Sequence, residues 1–271
     1  MSAAAFEQIL VHRSGRRATV SLNRPAKLNA LTDQMLLELR TALAELEADD
    51  GVRVIVIKGE GRAFSAGFDM TAHRGEWTVG EWRTHLHNGI ETFQAIWRAQ
   101  RPVIAQVHGP CLGGGFEMTM ACDLVVASSE AFFGVPEVRA GGVVMYPMLP
   151  WLVGVRASKY ITFTGERFSA AEAHALQLVN KVVPAGELEE AVEALCETVA
   201  QIPAGTVPLN KQVINRAAEM MGLLEAIRLG EDQAVLNLVA KSDEAKEFRR
   251  IVQTDGMQAA LAWLRAQYRS G

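Results

Sequence analysis

Apolar and polar positions along this chain switch between two periods. In "LTDQMLLELRTALAELEADD" apolar residues recur at Leu36, Leu39, Leu43 and Leu46, the spacing of one helix face, and Thr32 stands where an N-cap belongs. Just before it, "RRATVSLNRP" reads as a short strand stopped by Pro25. "VRVIVIKGEG" is a β-branched run closed by glycines, the pattern of a strand buried on both faces. A second helix is predicted over 81–100, with Trp82, Leu86, Ile90, Phe93 and Trp97 on one side. "PVIAQVHG" and "DLVVASS" follow as strands. From about Ala170 the pattern turns almost wholly helical apart from "LVNKVVP", with helices predicted over 187–201, 208–221, 223–239 and 256–268. Strands alternating with helices, then helices alone, predict an α/β core over 1–200 followed by a helical region over 201–271. There is no strong repeat, low-complexity tract or obvious linker.

Composition mainly excludes. The 271 residues are 49% hydrophobic and 21% charged, the balance of an ordinary globular chain long enough to bury its own core. A net charge of -4 offers no bulk attraction for nucleic acid or an anionic membrane. No run of apolar residues is long enough to span a bilayer, so no membrane partner is expected. Cys111, Cys122 and Cys196 are an odd set without metal-ligand spacing. "MSAAAFEQIL" carries neither a basic n-region with an apolar h-region nor an Arg-rich transit pattern, and a reducing cytoplasm is the expected setting.

Candidate chemistry concentrates in "GPCLGGGFEMTMACD", 109–123. A strand, a glycine-rich turn and a helix leave unpaired N–H groups and the positive end of the helix dipole facing outward, which suits negative charge. It is no phosphate loop, because Gly-Lys-Ser/Thr is absent. It is no dinucleotide fingerprint either, since "GEGRAF" lacks the final glycine and "GPCLGGG" the spacing. A generic oxyanion site remains. Glu117, three residues after Gly114, can reach back to the mouth of that site. A second carboxylate, Glu137 in "FFGVPEVRAGG", also sits among apolar residues, so the two can divide acid and base work with their pKa values pushed apart. "GRAFSAGFDM" places another tight turn after a strand and can supply a second N–H donor.

Taken in order, "RPAKLNAL", "GRAFSAGFDM", "CLGGGFEMTMACDLVVAS", "FFGVPEV" and "ITFTGERFSAAEAHALQLVNKVVP" resemble the enoyl-CoA hydratase/isomerase (crotonase) superfamily over roughly residues 6–250. The resemblance implies an α/β spiral of repeated ββα units with a helical C-terminal trimerisation region, in trimers or hexamers. It implies an acyl-CoA thioester substrate, with coenzyme A as part of that substrate and no separate cofactor or metal. It assigns the oxyanion donors to the N–H groups of Phe68 and Gly114, whose individual loss typically costs about 3 kcal/mol of transition-state stabilisation. Glu117 and Glu137 match both catalytic carboxylates of the hydratases, Glu117 on the water and Glu137 on the C2 proton. The implied reaction is hydration of a 2-enoyl-CoA. Double-bond isomerisation, acyl-CoA hydrolysis and non-catalytic acyl-CoA binding are the alternatives.

Lys27, Leu28, Ala66, Asp69, Met70 and Leu112 fall at positions expected to contact coenzyme A or substrate. Asp69 is also expected to cap the helix after its turn, and Lys27 is equally an ordinary exposed lysine. Trp82, Leu86 and Met70 either line the acyl pocket or belong to the core. Arg265 and Arg269 belong either to a neighbouring subunit's coenzyme or, the favoured reading, to a solvated face. His85 and His87, two apart on a helix, point in different directions and make no metal pair; His108 reads as a packed turn residue. The segment "VRAGGVVMYPMLPWLVG" departs from the family's glycine-rich turn after Glu137, which leaves the acyl group open.

Overall fold

The computed structural model describes residues 6–71 and 77–268. Strands β1 (Ile9–Ser14) and β2 (Arg17–Leu22) form an antiparallel hairpin. Helix α1 (Asp33–Glu47) follows, and the Thr32 hydroxyl accepts the Met35 N–H at 3.1 Å as its N-cap. Strand β3 (Val54–Gly59) leads through the 60–68 turn towards helix α2 (Val79–Arg98), which opens with a Thr78/Glu81 capping box. Next come β4 (Val103–Val107), β5 (Pro110–Leu112) and α3 (Gly114–Ala121), then β6 (Leu124–Ser128), β7 (Phe132–Gly134), a 3₁₀ turn at Pro136–Ala140 and α4 (Leu149–Thr164). After β8 (Phe168–Ser169), α5 (Ala170–Ala175) and β9 (Lys181–Val183), the remaining elements are α6 (Leu188–Gln201), α7 (Thr206–Met220), α8 (Leu223–Ala240), α9 (Asp243–Thr254) and α10 (Met257–Tyr268).

The larger sheet runs β1-β2-β3-β4-β6-β9, parallel except for the first hairpin; the smaller runs β5-β7-β8. Each turn of chain gives one strand to the large sheet, one to the small side, and then a helix. The sets are β4, β5, α3 and β6, β7, α4, while β3 is followed by residues that only bridge singly, Ser65 to Cys111 and Phe68 to Leu31, before α2. This is the expected α/β spiral of ββα units. Val54, Ile55, Val56 and Ile57 are all fully buried, as their unbroken β-branched run requires for a strand covered on both faces.

Several elements escape the hydrophobic pattern, among them the short strands β5, β7 and β8 of the smaller sheet. Strand β1 lies at the sheet edge and carries a polar "HRS" end. Helix α4 is broken at Gly154 (φ 76°, ψ 163°) and leaves Val155, Tyr160 and Phe163 exposed, so it shows no single apolar stripe. Helix α5 is only six residues long. In α9 the charged run "DEAKEFRR" hides the buried Phe248, and the buried Ile251 and Val252 follow it. None of the described helices is long and apolar enough to cross a membrane.

Candidate active site

Three consecutive glycines open the site, and each answers a different neighbour. Gly113 adopts φ 51°, ψ −126°, which is costly for a residue with a Cβ, and a Cβ there would lie 3.1 Å from Glu137 Oε2. A Cβ on Gly114 would meet the edge of the Phe68 ring, 2.6 Å from Cδ2. One on Gly115 would meet Ser65 Cβ at 2.7 Å. The row therefore lets a carboxyl, an aromatic ring and a neighbouring turn all approach the first turn of α3.

Across from it lies the 65–68 turn. Leu31 donates its N–H to Gly67 O and accepts the Asp69 N–H, a parallel bridge that uses the groups flanking Phe68 and turns the N–H of Phe68 itself to the other side. That amide and the Gly114 amide at the start of α3 have no intramolecular acceptor among the described residues. The two turns touch: a Cβ on Gly67 (φ 93°) would lie 3.2 Å from Gly114 N and 2.9 Å from Leu112 O. Ser65 braces the turn, its hydroxyl donating to Asn29 O at 2.8 Å and accepting the Gly67 N–H at 3.2 Å.

Glu117, one turn into α3, is 2% exposed. Its Oε1 accepts the N–H groups of Met145 at 2.9 Å and Tyr146 at 3.0 Å. Burial pushes its carboxyl up to about 7, and those two bonds, which favour the anion, hold it from rising further. Glu137, in the 3₁₀ turn, has a buried Oε2 without a hydrogen-bond partner among the described residues. Burial and, second, the charge of Glu117 push it up to about 8. Gly142 N–H holds the Glu137 carbonyl at 2.7 Å. The divergent segment after Glu137 therefore fixes both glutamates, one through its main chain and the other through its carboxylate. Nothing in the side-chain pattern of "GVVMY" announces this, because the donors are main-chain groups.

The remaining candidates divide. Ala66 donates its N–H to Leu28 O at 2.9 Å, and Leu112 donates to Ser65 O, so Leu28, Ala66 and Leu112 lie together at the 65–68 turn. Asn29 holds that junction, donating to the carbonyls of Glu60 and Ala63, a role its sequence context does not single out. Lys27 is exposed on the adjoining 3₁₀ turn, and Met70 is 37% exposed. Asp69 caps none of the described helices, which corrects that expectation. It accepts the N–H and hydroxyl of Thr71 and pairs with Arg24 at 2.9 Å, while α2 is capped by Thr78. Burial alone would raise the Asp69 carboxyl; the Thr71 bonds and Arg24 hold it below its ordinary range. Trp82 and Leu86 are buried. His85 faces Asp33 and His87 faces Glu231, two different directions, and His108 bonds Gly61 O. Arg265 is exposed on α10, and Arg269 lies outside the described residues.

Known proteins resemble this chain in sequence and in fold. A family model described as enoyl-CoA hydratase/isomerase matches residues 14–259. A short-chain-enoyl-CoA hydratase of Clostridium acetobutylicum is 36% identical over 218 residues, covering 79% of this chain and 83% of the relative. A crotonyl-CoA hydratase of Syntrophomonas wolfei is 35% identical over 219 residues, 79% and 84% of the two chains. The crystal structure of an enoyl-CoA hydratase/isomerase from Xanthobacter autotrophicus Py2 superposes with a TM-score of 0.93 at 35% identity, covering 97% of this chain and 99% of that one. Sequence motifs, spiral fold and these matches agree, and the chain belongs to the enoyl-CoA hydratase/isomerase family.

Proposed function

We propose that the protein is an enoyl-CoA hydratase, adding water reversibly across the double bond of a 2-enoyl-CoA thioester. The observation that carries this reading is the pair of glutamates beside two amides without an acceptor among the described residues, with the carboxyls raised to about 7 and about 8. The amides of Phe68 and Gly114 receive the thioester oxygen and stabilise the enolate that forms on it. Glu117, the more readily ionised of the two because Met145 and Tyr146 donate to it, takes a proton from water as the water oxygen bonds to C3. Glu137, the neutral partner, delivers its proton to C2 as the enolate collapses. Water and enoyl thioester become the 3-hydroxyacyl thioester, and one proton must return from Glu117 to Glu137 before the next turnover. The reaction so drawn uses no metal and no redox cofactor.

The test follows the conjugated enoyl-thioester absorbance of crotonyl-CoA in wild type, Glu117→Gln and Glu137→Gln. Rapid loss in wild type, with 3-hydroxybutyryl-CoA as product and loss abolished in both variants, supports the assignment. A shifted double bond or free coenzyme A as product would replace hydration by isomerisation or hydrolysis. The same reading makes 201–271 the oligomerisation region of a trimer or hexamer in the cytoplasm. The oligomerisation reading rests on the apolar surface of α7 and α8, where Val213, Met220 and Leu229 stand 60–78% exposed, and Phe163 of α4, outside that region, is 78% exposed as well.

A further inference from the structure

Helix α2 carries a glycine in its middle, Gly89, buried and flanked by His85, Leu86, Ile90 and Phe93. Glycine inside a helix costs about 1 kcal/mol relative to alanine, so a packing reason is needed. The surroundings supply one. A Cβ on Gly89 would lie 2.9 Å from Phe68 Cζ, 3.1 Å from Phe68 Cε1 and 2.6 Å from Met145 Cε. The other edge of the same Phe68 ring lies against Gly114, where a Cβ would stand 2.6 Å from Cδ2. The ring thus occupies a slot between two glycines, one on α2 and one on α3. His85 closes it edge-on at 5.7 Å between ring centroids and Phe93 lies tilted at 6.3 Å. His85 is itself tied to Asp33 by Nδ1···Oδ1 at 2.9 Å.

We infer that Gly89 is a positioning residue for the oxyanion hole, acting through the Phe68 ring that it seats against Gly114. This rests on the reading that Phe68 and Gly114 supply the two donors. The ring belongs to one donor residue and lies on the Cα of the other, so seating it sets their separation. The same glycine takes the end of Met145, whose N–H holds Glu117. One mid-helix residue therefore borders both the electrophile-binding and the water-activating sides of the site. An alanine there must displace the flexible Met145 end, 2.6 Å from the added Cβ, and press on the rigid ring at 2.9 Å, whose other edge lies against Gly114.

The experiment pairs hydration kinetics with a signal that needs no turnover. Acetoacetyl-CoA can bind an oxyanion hole as its enolate, whose absorbance is distinct from that of the keto form, so its bound enolate band reports the donors even if water is never added. Gly89→Ala is expected to lower kcat for crotonyl-CoA at least tenfold, to change KM less than threefold and to weaken the enolate band. In a Phe68→Leu background, where no ring fills the slot, adding Gly89→Ala should cost less than twofold. That non-additivity separates positioning from general damage to the helix. A kcat within twofold of wild type, an undiminished enolate band, or an equal loss in the Phe68→Leu background each overturns the inference. Should Gly89→Ala not fold, Phe68→Ala keeps the amide and removes the ring; a full-strength enolate band in that variant would equally refute the slot. Wild type that shows the enolate band but no hydration would refute the hydratase reading while leaving the slot to be judged by the band alone.

Discussion

Replacing Glu137 by Gln should abolish hydration and yet stabilise the protein at alkaline pH. In the folded chain the carboxyl is raised from its ordinary 4.5 to about 8, by burial first and by Glu117 second. A carboxyl raised on folding favours the native state fully below about pH 4.5. That contribution is lost as the pH rises towards 8, because the unfolded chain ionises freely while the native site resists. At about 1.4 kcal/mol per pH unit, the loss between pH 5.5 and pH 8 has a ceiling of about 3 kcal/mol. Gln has the same shape and never ionises, so it escapes the loss. At roughly 2–4 °C per kcal/mol for a chain of this size, half that ceiling raises the melting-temperature advantage of Glu137→Gln by about 3–6 °C between pH 5.5 and pH 8.5. Differential scanning calorimetry at those two pH values measures it, with crotonyl-CoA hydration confirming the loss of activity. An advantage that stays constant across the two pH values would refute the claim that Glu137 is held neutral by its surroundings.

Activity should follow the same pair. With Glu117 needed as anion and Glu137 as acid, kcat/KM for crotonyl-CoA should form a bell centred between pH 7 and 8, and a flat profile from pH 5 to 10 would deny the division of roles. Gly113→Ala forces a Cβ into a glycine conformation and towards Glu137. Urea unfolding should show a loss of about 1–3 kcal/mol, and kcat should fall at least a hundredfold. Lys211→Met removes the ammonium 2.7 Å from Asp123 and leaves a buried carboxylate without its cation, a loss of about 3 kcal/mol in the same assay. Phe163→Glu, at a side chain 78% exposed on α4, should lower the mass seen by light scattering to that of a smaller assembly, while an unchanged mass would move the subunit contact elsewhere.

The legible parts of this protein are those whose cause is local. Thr32 caps α1 because a hydroxyl before an apolar-periodic run satisfies a free amide, and this is visible in the order of residues. The four β-branched residues of β3 announce a strand buried on both faces. The glycine row and the two glutamates are also visible in the sequence, since each carries a local cost that calls for a reason. What stayed hidden is long-range and made by the backbone. Asp69 looked like a helix cap because Asp after a turn usually is one; its partner, Arg24, comes from another turn of the spiral. The amides of Met145 and Tyr146 have no side-chain signature, so the segment that departs from the family's glycine-rich turn gives no sign in its sequence that it holds Glu117.

Gly89 was illegible for the opposite reason. One glycine in a well-capped amphipathic helix reads as a small tolerated defect, and only the Phe68 ring lying between it and Gly114 gives the defect a cause. The same logic joins the glycines of α2 and α3 to the chemistry. Each gives up a Cβ so that something rigid can approach: a ring, a turn or a buried carboxyl. A close-packed interior has few spare gaps into which a displaced ring can move. Added methyls at these positions should therefore show first as misaligned donors and a lower kcat, and only afterwards as lost stability.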